Sequence, residues 1–436
     1  MYRSILISCV GKYVAYVINL ASLMVLARLF TPDQFGSIAC IQIVFSFAFI
    51  LAEFGIGPTI VGLNKLEPKD RDGLYSFTVC LGLVIGILVL ISTELIVQLF
   101  QNQNLRAIIA IASISIPLAA LGILPQAQLQ RDQRFIIVGI ADGGCELVGT
   151  LATLGFLYFL DPVLSLALRM PVRFLARWLM LYSFCGRTEF GRPHFGTKLS
   201  AIRQIFHISS YQFGYSFISF FTNNLDATLV SRYYGASSLG IYDKTNQIIR
   251  YPLILLVGAV SPALQPALRH HDQNAQTIEA IHRIFIGRVI WVGVAGGVAV
   301  MMGSSYFVPI LLGRGWDDVQ PILRILALTI PLQMVVATCG SFFQAMNRQD
   351  LLFRFGVQAA LVSVISIVIG ISFGNLNSLA WALVISSYIN FFQAYMLLYG
   401  KAFKQSPGIV FKATAFALMI CPILYAVHAL ILKPSP

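Results

Sequence analysis

Thirteen long apolar runs, separated by short polar turns, constrain this chain more than any other feature of its sequence. A helix needs ~20 apolar residues to cross the hydrocarbon core of a bilayer, because every backbone N–H and C=O must be paired inside the lipid. Only 11% of the 436 residues are charged and 57% are hydrophobic, which leaves too little polar surface for a water-soluble globule. The sequence therefore predicts an all-α polytopic membrane protein. The predicted spans are residues 9–30, 38–61, 76–100, 107–127, 136–159, 163–185, 205–231, 240–266, 284–312, 321–346, 355–373, 377–400 and 410–432.

Lysine and arginine residues are distributed unevenly between alternate turns, and cytoplasmic loops of membrane proteins carry an excess of them. Only Arg106, Arg232 and Arg314 fall in outer turns before the last span, if the N-terminus is inside. The pattern predicts a cytoplasmic N-terminus and supports the span count through span twelve. The sixteen inner residues are Arg3, Lys65, Lys69, Arg71, Arg131, Arg134, Arg187, Arg192, Lys198, Arg203, Arg269, Arg283, Arg348, Arg354, Lys401 and Lys404.

Several classes of partner and cofactor are not indicated. The net charge is +12, but the basic residues are scattered between the spans and form no single patch, so we predict no nucleic-acid partner. The seven cysteines form no CxxC pair and lie in or beside apolar runs, which is typical of small buried hydrophobic residues. We predict neither a metal site nor a cofactor. The glycine pairs Gly82-x₃-Gly86 and Gly293-x₃-Gly297 instead predict close packing of helices.

The two halves of the chain resemble each other. The stretch Leu26–Gly36 aligns with Val230–Gly240, and both place an arginine eight residues before a glycine. The offset of about two hundred residues contains six spans, an even number, so the halves have parallel topology related by a pseudo-twofold axis along the membrane normal. A chance match within apolar sequence is the alternative, and the agreement with the alternating turns argues against it.

The repeat predicts two six-helix lobes around a central cavity, with about one extra C-terminal helix. The predicted limits are 1–186 for the first lobe, 187–203 for a cytoplasmic inter-lobe loop, 204–403 for the second lobe and 404–436 for the extra segment.

Arg169, Arg173 and Arg177 recur every four residues in the sixth span. On a helix of 3.6 residues per turn this spacing drifts only about 40° per step, so the three guanidiniums share one face over roughly 12 Å. An arginine at the bilayer centre costs about 2.5–3.5 kcal/mol, which favours a water-filled cavity wall over lipid. Such a row of arginines could bind a diphosphate or a uronate, because Arg forms bidentate hydrogen bonds with phosphate and carboxylate groups. The alternative is that Arg177 snorkels to the inner surface while the others pair with acids on span five.

Other ionisable residues lie within or beside the spans. We predict that the acids bind a coupling H⁺ or Na⁺ or line the cavity, with pairing to arginine as the alternative. Arg250 is a further candidate for substrate binding. Arg28, Asp243 and Lys244 are candidate gate or cap residues, although interfacial anchoring explains Arg28 equally well. The acids in question are Asp142, Glu146, Asp226 and Glu53.

Several stretches resemble the polysaccharide-transport branch of the multidrug/oligosaccharidyl-lipid/polysaccharide exporter superfamily. They are LARLFTPDQFG at 26–36, AEFGIGPTIV at 52–61, the run from Gln126 to Phe135, and LGIYDK at 239–244. The similarity extends over nearly the whole chain. It implies a two-lobed flippase that moves undecaprenyl-diphosphate-linked repeat units from the cytoplasmic to the periplasmic leaflet by alternating access. Members commonly have fourteen or twelve helices, so thirteen is a departure.

The resemblance also implies the protein's setting. It places the chain in the bacterial inner membrane, with a lipid-linked anionic oligosaccharide as partner and with polysaccharide polymerases and glycosyltransferases as neighbours. A multidrug or cation antiporter on the same architecture is an alternative, although an arginine stripe repels cations. A membrane enzyme of polysaccharide assembly is another, but the short outer turns leave little room for a catalytic domain. A structural scaffold is the third, and the buried ionisable groups argue against it.

Overall fold

A computed structural model describes residues 2–62, 67–198, 200–269, 275–346 and 348–431, and these described residues are helical or lie in turns and loops, without a strand. Lys65, counted above on the inner side, and the last residue of the thirteenth predicted span lie outside them. The helices are α1 (Tyr2–Ala27), α2 (Pro32–Glu53), α3 (Ile56–Gly62), α4 (Pro68–Ile91), α5 (Thr93–Phe100), α6 (Leu105–Leu121), α7 (Ile123–Arg131), α8 (Phe135–Phe156), α9 (Pro162–Cys185), α10 (Ser200–Arg269), α11 (Ala275–Leu311), α12 (Val319–Ala327), α13 (Ile330–Ala345), α14 (Gln349–Ser372), α15 (Leu376–Leu397), a π-helical segment (Leu398–Phe403) and α16 (Gly408–Ile431).

Each predicted span coincides with a helix or a pair of helices, but the division differs. Four predicted spans are broken into α2–α3, α4–α5, α6–α7 and α12–α13. Spans seven and eight both belong to α10, which is interrupted at Gly235 with φ 84° and ψ 176°. By length and hydropathy, seven described helices can cross a membrane, or eight if the bent pair α12–α13 is one span. The protein is therefore a multi-pass helical membrane protein, and the count of thirteen stays a prediction.

The start and end of α2 show how the sequence sets these boundaries. Thr31 and Gln34 form a capping box, in which the Thr31 N–H donates to the Gln34 side chain at 2.9 Å, and Pro32 occupies the first turn. The helix ends where Phe54 and Gly55 both adopt positive φ, at 47° and 68°. Glycine tolerates this conformation, and the two residues together redirect the chain into α3.

The chain divides into two compact units, Met1–Gly240 and Ile241–Pro436. The predicted lobe limits of 1–186 and 204–403 stay predictions. In the first unit, α8 packs between α1 and α9, and α6 packs against α4 and α9. A Cβ on Gly82 would lie 2.7 Å from the Ala120 Cβ, and one on Gly86 would lie 2.7 Å from the Ser113 carbonyl oxygen. The predicted close packing at this glycine pair is confirmed, because only glycine lets α4 approach α6 this closely.

In the second unit, α11 packs against α12, α13 and α16, and α14 packs against α15. The second predicted glycine pair is confirmed here. A Cβ on Gly293 would lie 2.7 Å from the Pro331 Cα, and one on Gly297 would lie 3.0 Å from the Ala327 carbonyl oxygen. Both glycines therefore bring α11 against the bent pair α12–α13.

The repeated turns meet each other within the first unit. In the alignment, Gly36 corresponds to Gly240 and Pro32 to Ala236. A Cβ on Gly36 would lie 1.7 Å from the Ala236 carbonyl oxygen, and a Cβ on Gly240 would lie 2.0 Å from the Pro32 carbonyl oxygen. The contact is reciprocal, as expected for two equivalent elements that pack across a pseudo-twofold axis. Beside it, the repeated arginine Arg232 donates hydrogen bonds to backbone carbonyls at the end of α5, at 2.8 and 2.9 Å.

Residues 187–198, part of the predicted inter-lobe loop, lie across the start of α4. We call this segment the strap. Lys198 Nζ lies 3.1 Å from carboxylate oxygens of both Asp70 and Glu67, and these hydrogen bonds raise the pKa of Lys198. The strap is therefore fixed to the first unit along most of its length. Three further contacts hold it: Arg71 donates to the Phe190 carbonyl oxygen, the His194 N–H donates to Asp72 at 2.9 Å, and the Gly196 N–H donates to Ser76 Oγ at 2.8 Å.

Candidate anion-binding site

The three arginines of α9 face two acids of α8. Glu146 Oε1 accepts a hydrogen bond from Arg169, and Glu146 Oε2 lies 3.3 Å from Arg173 Nε. One turn away, Asp142 Oδ1 lies 2.7 Å from Arg177 Nε. The spacing of four on each helix produces these pairs, because it aligns one face of α8 with one face of α9. The pairing predicted as an alternative for Arg169 and Arg173 is therefore present in the structure. Arg177, for which snorkelling was the alternative, pairs with Asp142 as well.

This charged face points away from the apolar surface of the same helices. Leu175 and Leu179 are exposed on α9, roughly 120–160° around the helix from Arg173. On α8, Ile140 and Leu151 are exposed, about 120–140° from Glu146. Since exposed leucine and isoleucine faces suit lipid, the arginines lie toward the interior of the helix bundle and not among acyl chains.

The charges in the cluster do not cancel. Three guanidiniums and two carboxylates leave one positive charge in excess. No described residue accepts a hydrogen bond from either Nη of Arg173, whose side chain is 34% exposed, and the buried Nε of Arg169 has no partner there. Since buried donors are normally paired, the cluster offers unused hydrogen-bond donors and one net positive charge to an anion.

Two members of the site were not predicted from the sequence. Gln126, at the end of the fourth predicted span, accepts a hydrogen bond from Arg177 Nη1 at 3.0 Å. Gly149 lies opposite the arginine side chains, since a Cβ there would be 2.6 Å from Arg173 Cγ and 3.2 Å from Arg169 Cγ. Its position, three residues after Glu146 and on the same helix face, is the sequence signal that could have identified it as part of the site.

The other predicted residues of the first unit are not part of these pairs. Glu53 is half-buried at the end of α2, where its carboxylate lies against Gly57, and no described cation is within ion-pair distance. Asp226 accepts a hydrogen bond from the N–H of Ala227 at 2.8 Å. Arg28 is exposed in the turn after α1.

Two of the three predicted residues of the second unit, Asp243 and Lys244, form a local pair. The buried Lys244 places Nζ 3.0 Å from the Asp243 carboxylate and 3.3 Å from Gln247 Oε1. Arg250 is exposed. Among the described residues of both units, no group of three or more His, Cys, Asp or Glu side chains is arranged to hold a metal ion.

Comparison with known proteins identifies the family. Residues 25–321 match the family described as polysaccharide biosynthesis protein. The chain belongs to this family. Among its relatives, the lipopolysaccharide biosynthesis protein WzxC of Escherichia coli is 23% identical over 402 residues, which cover 91% of this chain and 81% of WzxC. The succinoglycan biosynthesis transport protein ExoT of Rhizobium meliloti is 21% identical, over 87% of this chain and 76% of ExoT.

The fold also has a solved counterpart. This polysaccharide biosynthesis protein superposes with a TM-score of 0.63 on a multidrug resistance MATE family transporter of the MOP superfamily, in its inward-facing conformation. The two chains share 14% sequence identity, and the match covers 88% of this chain and 94% of the transporter. The two-lobed polytopic fold predicted from the repeat is confirmed by this likeness.

Proposed function

We propose that this protein is a flippase that moves undecaprenyl-diphosphate-linked oligosaccharide units from the cytoplasmic to the periplasmic leaflet by alternating access. The product would serve O-antigen, capsule or exopolysaccharide synthesis. The observation that carries the proposal is the cluster of three arginines inside the helix bundle, with one net positive charge and unused donors. A lipid-linked diphosphate needs such a polar, cationic surface to cross the bilayer. The names of WzxC and ExoT, which refer to polysaccharide synthesis and transport, agree with it.

The arginines Arg169, Arg173 and Arg177 are assigned to the anionic part of the substrate, with Arg250 as a further contact. Since Asp142 and Glu146 are paired with arginine, we assign ion coupling to Glu53, and Asp226 to the cavity lining. Arg28, Asp243 and Lys244 are assigned to gating.

Alternating access is supported by the reciprocal contact of Gly36 and Gly240 with the opposite repeat. The positive-inside pattern puts both repeated turns on the outer side, so their separation and closure would open and close the outer end of the passage. We further propose that the protein lies in the bacterial inner membrane, with its N-terminus in the cytoplasm. It would act with separate polymerases and glycosyltransferases and would not itself be an enzyme.

The test is flipping of lipid-linked oligosaccharide in proteoliposomes by Arg169→Ala, Arg173→Ala, Arg177→Ala and the triple variant. Each single change should lower the rate about tenfold, a loss equal to one charge-assisted hydrogen bond. Leu175→Ala, on the exposed face of the same helix, is the matched control and should flip normally. Normal flipping by the triple variant would remove the arginines from the mechanism and reject the proposal.

The likeness to a multidrug transporter favours a second candidate, a multidrug or cation antiporter on the same fold. The net positive charge of the cluster opposes a cationic cargo. Export of ethidium by the wild-type protein, without flipping of lipid-linked oligosaccharide, would select this candidate.

A further inference from the structure

We propose that Asp142 is a displaceable internal counter-ion, which occupies Arg177 in the empty protein and gives way to a dianionic diphosphate. The inference rests on the proposed function and names the chemical group that the site recognises. In this proposal, Glu146 stays paired with its arginines, whereas Asp142 leaves Arg177 when the diphosphate binds.

The two acids differ in burial and in the number of their partners. The Glu146 side chain is 4% exposed and faces both Arg169 and Arg173. The Asp142 side chain is 43% exposed and, among the described residues, pairs with Arg177 alone. Withdrawing a buried carboxylate from two guanidiniums leaves uncompensated buried charge, whereas a half-exposed carboxylate that leaves one guanidinium is solvated again. Asp142 is therefore the acid that an incoming anion can replace.

Charge balance selects the ligand. With Asp142 displaced, the three guanidiniums and Glu146 carry two positive charges in excess. A diphosphate diester carries two negative charges and neutralises the site. A single carboxylate, such as a uronate, would neutralise the cluster only with Asp142 still in place. Because Asp142 is exposed enough to be displaced, the cluster favours the dianionic diphosphate over a single carboxylate.

The geometry provides the contacts for this exchange. Arg173 has both Nη groups without a described acceptor, and Arg177 would be released one helical turn away. Two arginines spaced by four residues on one helix can each hold one phosphate of a diphosphate. After release of the ligand, Asp142 would return to Arg177 and compete against rebinding. This competition would speed release on the far side.

The experiment measures binding of UDP-glucose, a soluble diphosphate diester, and of the monoanion glucuronate to purified protein. Asp142→Asn removes the competing charge with little change in shape, and should tighten UDP-glucose binding roughly tenfold, if Asp142 occupies Arg177 about nine-tenths of the time. Glucuronate binding should change less than about twofold, since no displacement is needed. Asp142→Glu should restore the wild-type affinity. Glu94→Gln removes one carboxylate charge from an exposed pair with Arg106 and is the matched control.

Flipping of lipid-linked oligosaccharide by the same variants separates this role from a structural one. Asp142→Asn should lower KM and also lower kcat, because the substrate binds more tightly and leaves more slowly. If Asp142 had only a structural role, Asp142→Asn would lower kcat without tightening substrate binding. Unchanged or weaker UDP-glucose binding by Asp142→Asn overturns the inference, and so does an equal gain for glucuronate. If wild type flips the substrate and Asp142→Asn behaves like Glu94→Gln, this inference fails alone. If wild type and the triple arginine variant flip equally, the proposed function fails.

Discussion

Gly36 and Gly240 occupy the same position in the two repeats, and each lies against a backbone carbonyl of the other repeat. The carbonyls belong to Ala236 and Pro32, which are themselves equivalent. A reciprocal contact of this kind leaves no space for a side chain on either partner.

Gly36→Ala should therefore destabilise the protein, because the new Cβ would lie 1.7 Å from a backbone oxygen that no rotamer change can move. We expect a loss of about 1–3 kcal/mol, the usual range for overpacking, visible as a lower Tm in detergent. Gly214→Ala is the control and should be neutral or slightly stabilising, because the added Cβ would have no described neighbour within 4 Å beyond its own helix backbone. Equal Tm values for the two variants would contradict the close contact.

Gly149→Ala should impair flipping without changing any charge. The Cβ would press on the aliphatic stems of Arg173 and Arg169, at 2.6 and 3.2 Å, and so shift both guanidiniums relative to Glu146. We expect a several-fold rise in KM, because misplaced bidentate groups bind more weakly. Gly155→Ala on the same helix has open space and should match wild type. A normal KM for Gly149→Ala would show that the arginine positions are not critical.

The positions of the helices could be predicted from the sequence, because each apolar run between polar turns has the length that a helix needs to cross a bilayer. The break between α2 and α3 could not, since it depends on a positive φ at Phe54, a residue that carries no side-chain signal for it. In the candidate site, the spacing of Arg169, Arg173 and Arg177 identified one face of α9. Their pairing with Glu146 and Asp142 was only one of two options, because the rotation of α8 relative to α9 is set by packing. Gly149 was missed since its role depends on that same packing.

Arg71→Ala should loosen the strap. The side chain is buried, pairs with Asp72 and donates to the Phe190 carbonyl, so its removal takes a donor from a strap carbonyl and the counter-ion from Asp72. Trypsin should then cut after Arg187 several-fold faster in inside-out vesicles, where the positive-inside pattern exposes this loop. Lys69→Ala, exposed in the first turn of the same helix, is the control. Cleavage only in right-side-out vesicles would reverse the proposed orientation.

Glu53→Gln should abolish the response of flipping to an imposed ion gradient. Glu53 is half-buried at the break between α2 and α3, with no described cation within ion-pair distance, and such a carboxylate needs a proton or a cation to offset its charge. Proteoliposomes with a pH gradient or a Na⁺ gradient, applied separately, identify the ion. Glu94→Gln should respond as wild type does, because Glu94 is exposed and paired with Arg106. A full response by Glu53→Gln to both gradients would exclude Glu53 from coupling. The paired acids would then be the next to test, since an arginine that moves to the substrate would leave its carboxylate free to bind the ion.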